Sequence, residues 1–297
     1  MSAPAGGVVP AFFDFRGGAE TGPLLDGLAG FAPDVVVVFR PHTLPPGTMD
    51  EVPAPVLGYL TEPLPHAGLR DHAELLANLA AVRAIDRGNV DRVISFDPTC
   101  WDTAAPLMPL WRSMPLPVDD RIFRSPEQSA RPPRLIFIGH SSWNREETLL
   151  SLKHEFDLRH YSHALLGEEL AAVLADADVG INVHSAQWVH AMESQVLVHL
   201  AAGHLLLSQP LETGFGLEPN VDYLEFFDRH DLSLRVHQLM AQPDAFDRIR
   251  VRGNHTAQQY RASRVWPRVL RDLIEDLRVF GTERAGCAAT PPARGAA

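Results

Sequence analysis

Asp178-Val-Gly-Ile-Asn-Val-His184 is a short apolar run that ends in polar residues. A helical segment follows from Val189 to Ala202, and Gly203 stops it. His204-Leu-Leu-Leu-Ser208 is a second apolar run, and it leads into the loop Glu212-Thr-Gly-Phe-Gly-Leu-Glu218. Strand, helix, strand and polar loop in this order predict a βαβ unit. In open sheets of that type ligands bind beyond the carboxyl ends of the strands. Asn182, His184, Ser208 and the 212–218 loop are expected at that rim.

Toward the amino terminus the same alternation recurs. Ala11-Phe-Phe-Asp-Phe15 reads as a strand, Arg16-Gly-Gly18 as a turn and Gly22 to Gly30 as a helix. The run Val-Val-Val-Val-Phe39 after Asp34 is β-branched and bounded by prolines, the pattern of a buried parallel strand. Pro55 to Leu60 and Asp91 to Phe96 are further strands, with a helix from Arg70 to Ile85 between them. Leu75, Leu76, Leu79 and Val82 lie on one stripe of that helix. Alternating strands and helices of this kind predict an α/β, doubly wound parallel sheet.

Between Met114 and Pro133 the rhythm breaks, with prolines at 115, 117, 126, 132 and 133, and this reads as a linker. It restarts with strand Arg134–Ile138, loop 139–144, helix Arg145–His154, strand Phe156–Tyr161 and helix Glu168–Asp176, which brings the chain to the central unit. Beyond it, 231–242, 244–263 and 266–280 have helical spacing. The expected division is an N-terminal domain over 1–130, a C-terminal domain over 131–265 and a last helix over 266–281 that crosses back to the first domain. Residues 282–297 are mostly Ala, Pro, Gly and Arg without periodicity, and are expected to be disordered.

The chain has 297 residues, 45% apolar and 21% charged, which suits a globular protein with two moderate cores. Its formal charge of -11 argues against a nucleic-acid surface. Lys153 is the only lysine, so a cation at a ligand rim would be arginine, which suits phosphate. Cys100 and Cys287 stand far apart without metal-ligand spacing and read as free thiols. No stretch reads as a membrane span or a signal peptide, so the expected compartment is the cytoplasm. Asp176-Ala-Asp178 has the Asp-x-Asp spacing of a metal site, but it spans a helix end and a strand start, where capping explains it better. No metal site is expected.

Several pieces of the second half, in order, resemble one known family. They are Leu116-Pro-Val-Asp-Asp-Arg-Ile-Phe123, Leu135-Ile-Phe-Ile-Gly-His140, Asn144-Arg-Glu146 and Ala177-Asp-Val-Gly-Ile-Asn-Val183. Glu193-Ser-Gln-Val196, Leu200-Ala-Ala-Gly203, Gly216-Leu-Glu-Pro-Asn-Val-Asp-Tyr223 and Asp231-Leu232 continue the series. Together they resemble the group 1 glycosyltransferases, in the branch of spore-maturation glycosyltransferase-like proteins. The resemblance implies a GT-B architecture: two Rossmann-like domains facing across a cleft, the second holding a nucleotide-sugar donor and the first meeting a small-molecule or glycan acceptor. The nucleotide-sugar is then a substrate, and no cofactor or metal is implied, because helix N-termini and basic side chains stabilise the departing diphosphate.

On that reading Gly139, His140, Ser141 and Arg145 face the diphosphate, although a tight βα turn with a solvated arginine would look the same. Tyr161 and His163 fall near the base, or in an ordinary loop. Asn182 and His184 end the central strand, where Asn182 either caps a turn or meets the ligand. Glu193 and Ser194 reach sugar or ribose, or form an exposed helix face. Gly214, Phe215 and Gly216 wrap the donor, or punctuate the chain. In the first domain Arg16, Gly17 and Thr61 are the acceptor-side candidates, and Glu62 and Asp97 are candidate catalytic bases, unless they cap turns. His42 and His66 compete for that role. The chain departs from the family at two positions: counting back from Gly203, its paired glutamates fall on His190 and Val198, and valine cannot accept a ribose hydroxyl. Altered donor geometry, loss of catalysis in a donor-binding or scaffold protein, and a two-lobed small-ligand binder all remain open.

Overall fold

A computed structural model describes residues 7–15, 20–66, 69, 72–128, 130–186, 192–282 and 284. The chain divides into two compact units. One comprises the described residues up to Met114 and those from Trp266 onward; the other is Pro115–Val265.

The first unit begins with α1 (Gly22–Phe31), β1 (Val36–Phe39), β2 (Val56–Leu60), α2 (Ala73–Arg83), β3 (Arg92–Ser95), the short α3 (Trp101–Ala104) and β4 (Leu110–Ser113). Its four strands are parallel in the order β1-β2-β3-β4. Val56, Leu57, Tyr59 and Leu60 of β2 are all fully buried, the expected state of a parallel strand covered on both faces. Ala11–Phe15 is not a strand. Phe13 instead lies against Gly27 of α1, where an added Cβ would meet its ring at 3.2 Å. With that segment packed on a helix, β1 is the sheet edge. Strand β4, which begins just after Pro109, has no clear sequence signature and pairs with β3.

The second unit runs β5 (Leu135–Ile138), α4 (Trp143–Glu155), β6 (Leu158–Tyr161), α5 (Gly167–Ala175), β7 (Val179–Asn182), α6 (Ser194–Ala201), β8 (Leu205–Ser208), β9 (Leu224–Glu225), α7 (Arg229–Ala241) and α8 (Asp247–Ala257). Its sheet is parallel in the order β6-β5-β7-β8-β9. From β5 the chain steps one way to β6, then returns to the other side of β5 for β7, β8 and β9. That reversal is a topological switch point between β5 and β7. Leu135, Phe137, Val179, Ile181 and Leu207 fill the core on one face, and Val196, Leu197, Leu200 and Leu206 belong to a second cluster.

The proline-rich segment after Met114 belongs to the second unit, so the boundary expected at 130/131 lies at 114/115. Its prolines leave it a single short helical turn at Asp120–Ile122, and amides near them bond elsewhere in the unit. Val118 N donates to Tyr260 O at 2.9 Å, and Arg124 N to Ala201 O at 2.9 Å. The helix expected over 244–263 breaks after Ala257, and α9 (Ala262–Phe280) follows. Within the first unit Val269, Leu273 and Leu277 of α9 are buried at four-residue spacing. Arg92 and Trp111 both reach Asp276, at 2.7 and 3.1 Å.

Beyond α9 the expected disorder is contradicted at Thr282 and Arg284. Arg284 is 3% exposed and donates to Met49 O at 2.7 Å, Val52 O at 2.8 Å and Ala54 O at 2.9 Å. Its Nε lies 3.4 Å from the Asp91 carboxylate, and Thr282 also bonds Asp91. Composition missed this because one buried arginine, paired over long range, outweighs the aperiodic residues around it. Cys287 lies outside the described residues.

Candidate functional site

The switch point is built from the first turn of α4. Gly139-His-Ser-Ser142 leaves β5, and Ser142 caps the helix by accepting from Arg145 N at 3.4 Å. The helix then carries Asn144 and Arg145 into the crevice, where both are buried. Arg145 Nε donates to Val183 O at 2.8 Å, Nη1 to His140 O at 3.2 Å, and Nη2 meets Glu193 Oε2 at 3.1 Å. Asn144 Nδ2 donates to His184 O at 2.9 Å and Ala186 O at 3.2 Å. A Cβ on Gly139 would stand 3.1 Å from Phe137 and 3.2 Å from Arg145 Nη1, so a side chain there would crowd the guanidinium. Arg145, expected to meet a phosphate, is therefore engaged inside the protein. It ties the loops after β5 and β7 to the start of α6.

The neighbouring rims are joined to this cluster. His184 is buried; its N donates to Gln209 Oε1 at 2.8 Å and its Nε2 to Pro210 O at 2.8 Å. Asn182 is 2% exposed and donates to Ser208 Oγ at 3.0 Å, so it braces β7 against β8 instead of facing outward. Glu193, expected within a helix, is the residue preceding α6. Its carboxylate lies between Arg145 and His184 Nδ1, 3.7 Å away, with 18% of the side chain exposed. His140, Ser141 and Ser194 are exposed around this carboxylate's loops. Val198 packs against the apolar cluster of α6 and β8, and His190 lies outside the described residues.

Of the remaining second-unit candidates, Tyr161 adjoins this cluster through its O, which accepts from Gly139 N at 2.9 Å. Tyr161 and His163 pair edge to face, with centroids 6.2 Å apart, beyond β6. Gly214 to Leu217 is a tight turn closed by Leu217 N to Gly214 O at 3.0 Å, with positive φ at Phe215 and Gly216. The Tyr260 hydroxyl donates to Phe215 O and fastens this turn beyond α8. Loops 139–145 and 182–184 are thus joined by hydrogen bonds, whereas no described hydrogen bond joins the 214–216 turn to them. Gln209 and Asn144 were missed as members of the site. The signal for Gln209 is a polar side chain next to a strand end, whereas Asn144 also lies in one of the pieces that carry the family resemblance.

In the first unit Arg16 and Gly17 lie outside the described residues. Thr61 and Glu62 follow β2, and Glu62 accepts from Arg40 Nε at 2.6 Å, Thr61 N at 3.1 Å and Thr61 Oγ1 at 3.2 Å. Asp97 is 3% exposed, and its Oδ1 accepts from Thr99 N at 2.8 Å and Thr99 Oγ1 at 2.6 Å. A carboxylate bonded in this way caps its own turn, so Asp97 has a structural task here.

Asp176 and Asp178 pair with Arg134, which hydrogen-bonds both. Burial opposes the Asp178 charge, but the Arg134 bonds outweigh it and hold the carboxyl below its ordinary range. Among the described residues no group of three or more His, Cys, Asp or Glu could hold a metal. No described helix is long and apolar enough to cross a membrane.

No protein-family description matches the chain, and no curated protein does. Solved structures do resemble it. Anabaena Alr3699/HepE in complex with UDP has a TM-score of 0.56 at 11% identity, over 86% of this chain and 82% of that one. Sucrose-phosphate synthase from Thermosynechococcus elongatus has a TM-score of 0.59 at 13% identity, over 87% and 77%. A UDP-forming trehalose-phosphate synthase from Burkholderia xenovorans has a TM-score of 0.51 at 11% identity, over 87% and 78%. These neighbours are GT-B glycosyltransferases, and the fold of this chain is GT-B.

Proposed function

We propose that this chain transfers a glycosyl group from a nucleotide-activated sugar, with UDP as the carrier, to a hydroxyl acceptor. One observation carries the reading: in a GT-B fold, the buried Arg145 knits the carboxyl edge at the switch point of the second sheet, where nucleotides bind in open α/β sheets. UDP is the choice because the similar HepE structure holds it.

In this reading the exposed turn at His140 and Ser141, at the positive end of the 13-residue α4, takes the diphosphate without a metal. Arg145 acts as a positioning residue. It neutralises Glu193 and fixes that carboxylate beside His184, where hydroxyls of the donor could meet its accessible oxygen. The pieces shared with the spore-maturation branch support the same assignment. Calorimetry with UDP, GDP and ADP is the test: a UDP-selective heat supports the reading, and silence with all three ends it.

A second reading has its own support. Val198 stands where the family's ribose glutamate would be, and it packs, partly buried, against an apolar cluster. A donor-binding protein without transfer chemistry fits that feature. Release of UDP from UDP-glucose by the purified chain would eliminate it.

A further inference from the structure

A separate constellation in the first unit gathers at the carboxyl ends of β1 and β2. Phe39 and Tyr59 are register partners with ring centroids 5.5 Å apart, and Trp266 meets Phe39 edge to face at 6.3 Å. Tyr59 is fully buried, with its hydroxyl bonded to Met114 O at 2.6 Å. Phe39 keeps 41% exposure, so the aromatic wall ends in one open ring.

The next residue, Arg40, has φ 57, a left-handed conformation that is strained in a residue with a side chain. This turn brings its guanidinium to Glu62 Oε1 at 2.6 Å while 60% of the Arg40 side chain remains exposed. Thr61 adds two further bonds to the same carboxylate, at 3.1 and 3.2 Å. Beside them, His42 Nδ1 is buried with no hydrogen-bond partner among the described residues. Burial lowers the His42 pKa, with Glu62 opposing and Arg40 acting in the same direction as burial. A buried nitrogen without a partner is costly, and such groups are commonly satisfied by a ligand or its water.

We propose that this corner binds a polyhydroxylated ring, a sugar or cyclitol, as the acceptor of the transfer reaction. The proposal rests on the glycosyltransfer reading above. A half-open aromatic ring suits the C–H face of such a ring. A fixed carboxylate beside an exposed guanidinium suits a vicinal diol, one hydroxyl donating to Glu62 and its neighbour accepting from Arg40. The pair excludes the obvious competitors. An anionic ligand would meet the Glu62 charge, and a flat apolar aglycone would desolvate the ion pair without replacing its hydrogen bonds.

Saturation-transfer NMR on the full chain with methyl α-glucoside and with myo-inositol tests this, and UDP calorimetry on the same samples reports the donor side independently. Transfer is expected to the ring C–H protons of at least one polyol. It should weaken by about tenfold in Arg40→Met and in Glu62→Gln, as for loss of a charge-assisted bond, and vanish in Phe39→Ala. The two polar variants guard against misfolding of the third, because Arg40 is mostly exposed. UDP binding with no transfer to either polyol, or transfer unchanged in both polar variants, overturns the proposal and leaves the glycosyltransfer reading standing. Absence of UDP heat overturns that reading instead.

Discussion

From one buried position the Arg145 guanidinium reaches Val183 O, His140 O and Glu193. Its fork geometry makes this possible, since separate N–H groups point in fixed, divergent directions. Arg145→Ala would leave the Glu193 carboxylate beside His184 without its guanidinium. We expect a loss of about 3 kcal/mol in urea unfolding, the low end for breaking a buried pair because Glu193 retains some exposure. Arg145→Lys should recover less than half of it, since one ammonium cannot serve all three acceptors. The sequence marks Arg145 as a rim cation. It carries no sign that the carbonyls of Val183 and His140 will occupy that cation, because both partners arrive through the fold.

Strands β7 and β8 and helix α6 enclose a histidine pair that shows what an element-scale contact can do. His199 Nδ1 and His204 Nδ1 are 3.0 Å apart, and His204 Nε2 donates to Leu174 O at 2.8 Å. His204 Nδ1 is therefore the acceptor, and His199 Nδ1 carries the proton. Gly180 makes room, since a Cβ there would lie 2.4 Å from the His199 ring. Burial, with the His204 charge adding to it, pushes His199 well below its ordinary 6.5. Burial likewise takes His204 down to about 4. A histidine with a depressed folded pKa binds fewer protons folded than unfolded. Its contribution is thus fully present above pH 6.5 and is lost as pH falls toward 4. In that window His204 should contribute a slope of up to about 1.4 kcal/mol per pH unit, and His199 acts with the same sign. Urea midpoints at pH 7 and pH 5 check this, and the difference should shrink in His199→Gln. Helix periodicity shows α6 as a buried helix, but nothing local pairs His199 with His204 ring to ring.

At the scale of the whole molecule, the residues after α9 close the first unit. Asp91 and Arg284 are both fully buried, and the arginine also saturates three loop carbonyls. Truncation after Gly281 would remove Arg284 from beside the buried Asp91 carboxyl and leave it the bond from Val56 N. Scanning calorimetry should show the transition of the first unit lowered by an amount equivalent to about 3–5 kcal/mol, with that of the second unit unchanged. Equal stability of the truncated chain would remove this role for Arg284. The similar solved structures share the architecture at 11% and 13% identity. Such divergence is possible because a parallel sheet demands apolar strands and short turns more than particular residues.

The chain's own order of apolar runs, glycine stops and prolines determines its α/β class, the strands β1–β3 and β5–β8, and the rim on which Glu62, His140 and His184 fall. Those features are local, since hydrophobic period and backbone restriction act over a few neighbouring residues. Only the tertiary structure decided that Ala11–Phe15 leaves the sheet, that Arg145 turns inward, that Asp97 caps its own turn and that Arg284 is buried. Each of these outcomes depends on which distant polar group or open face a segment meets. Buried hydrogen bonds must be satisfied by whatever partner the fold supplies, whether near or far along the chain.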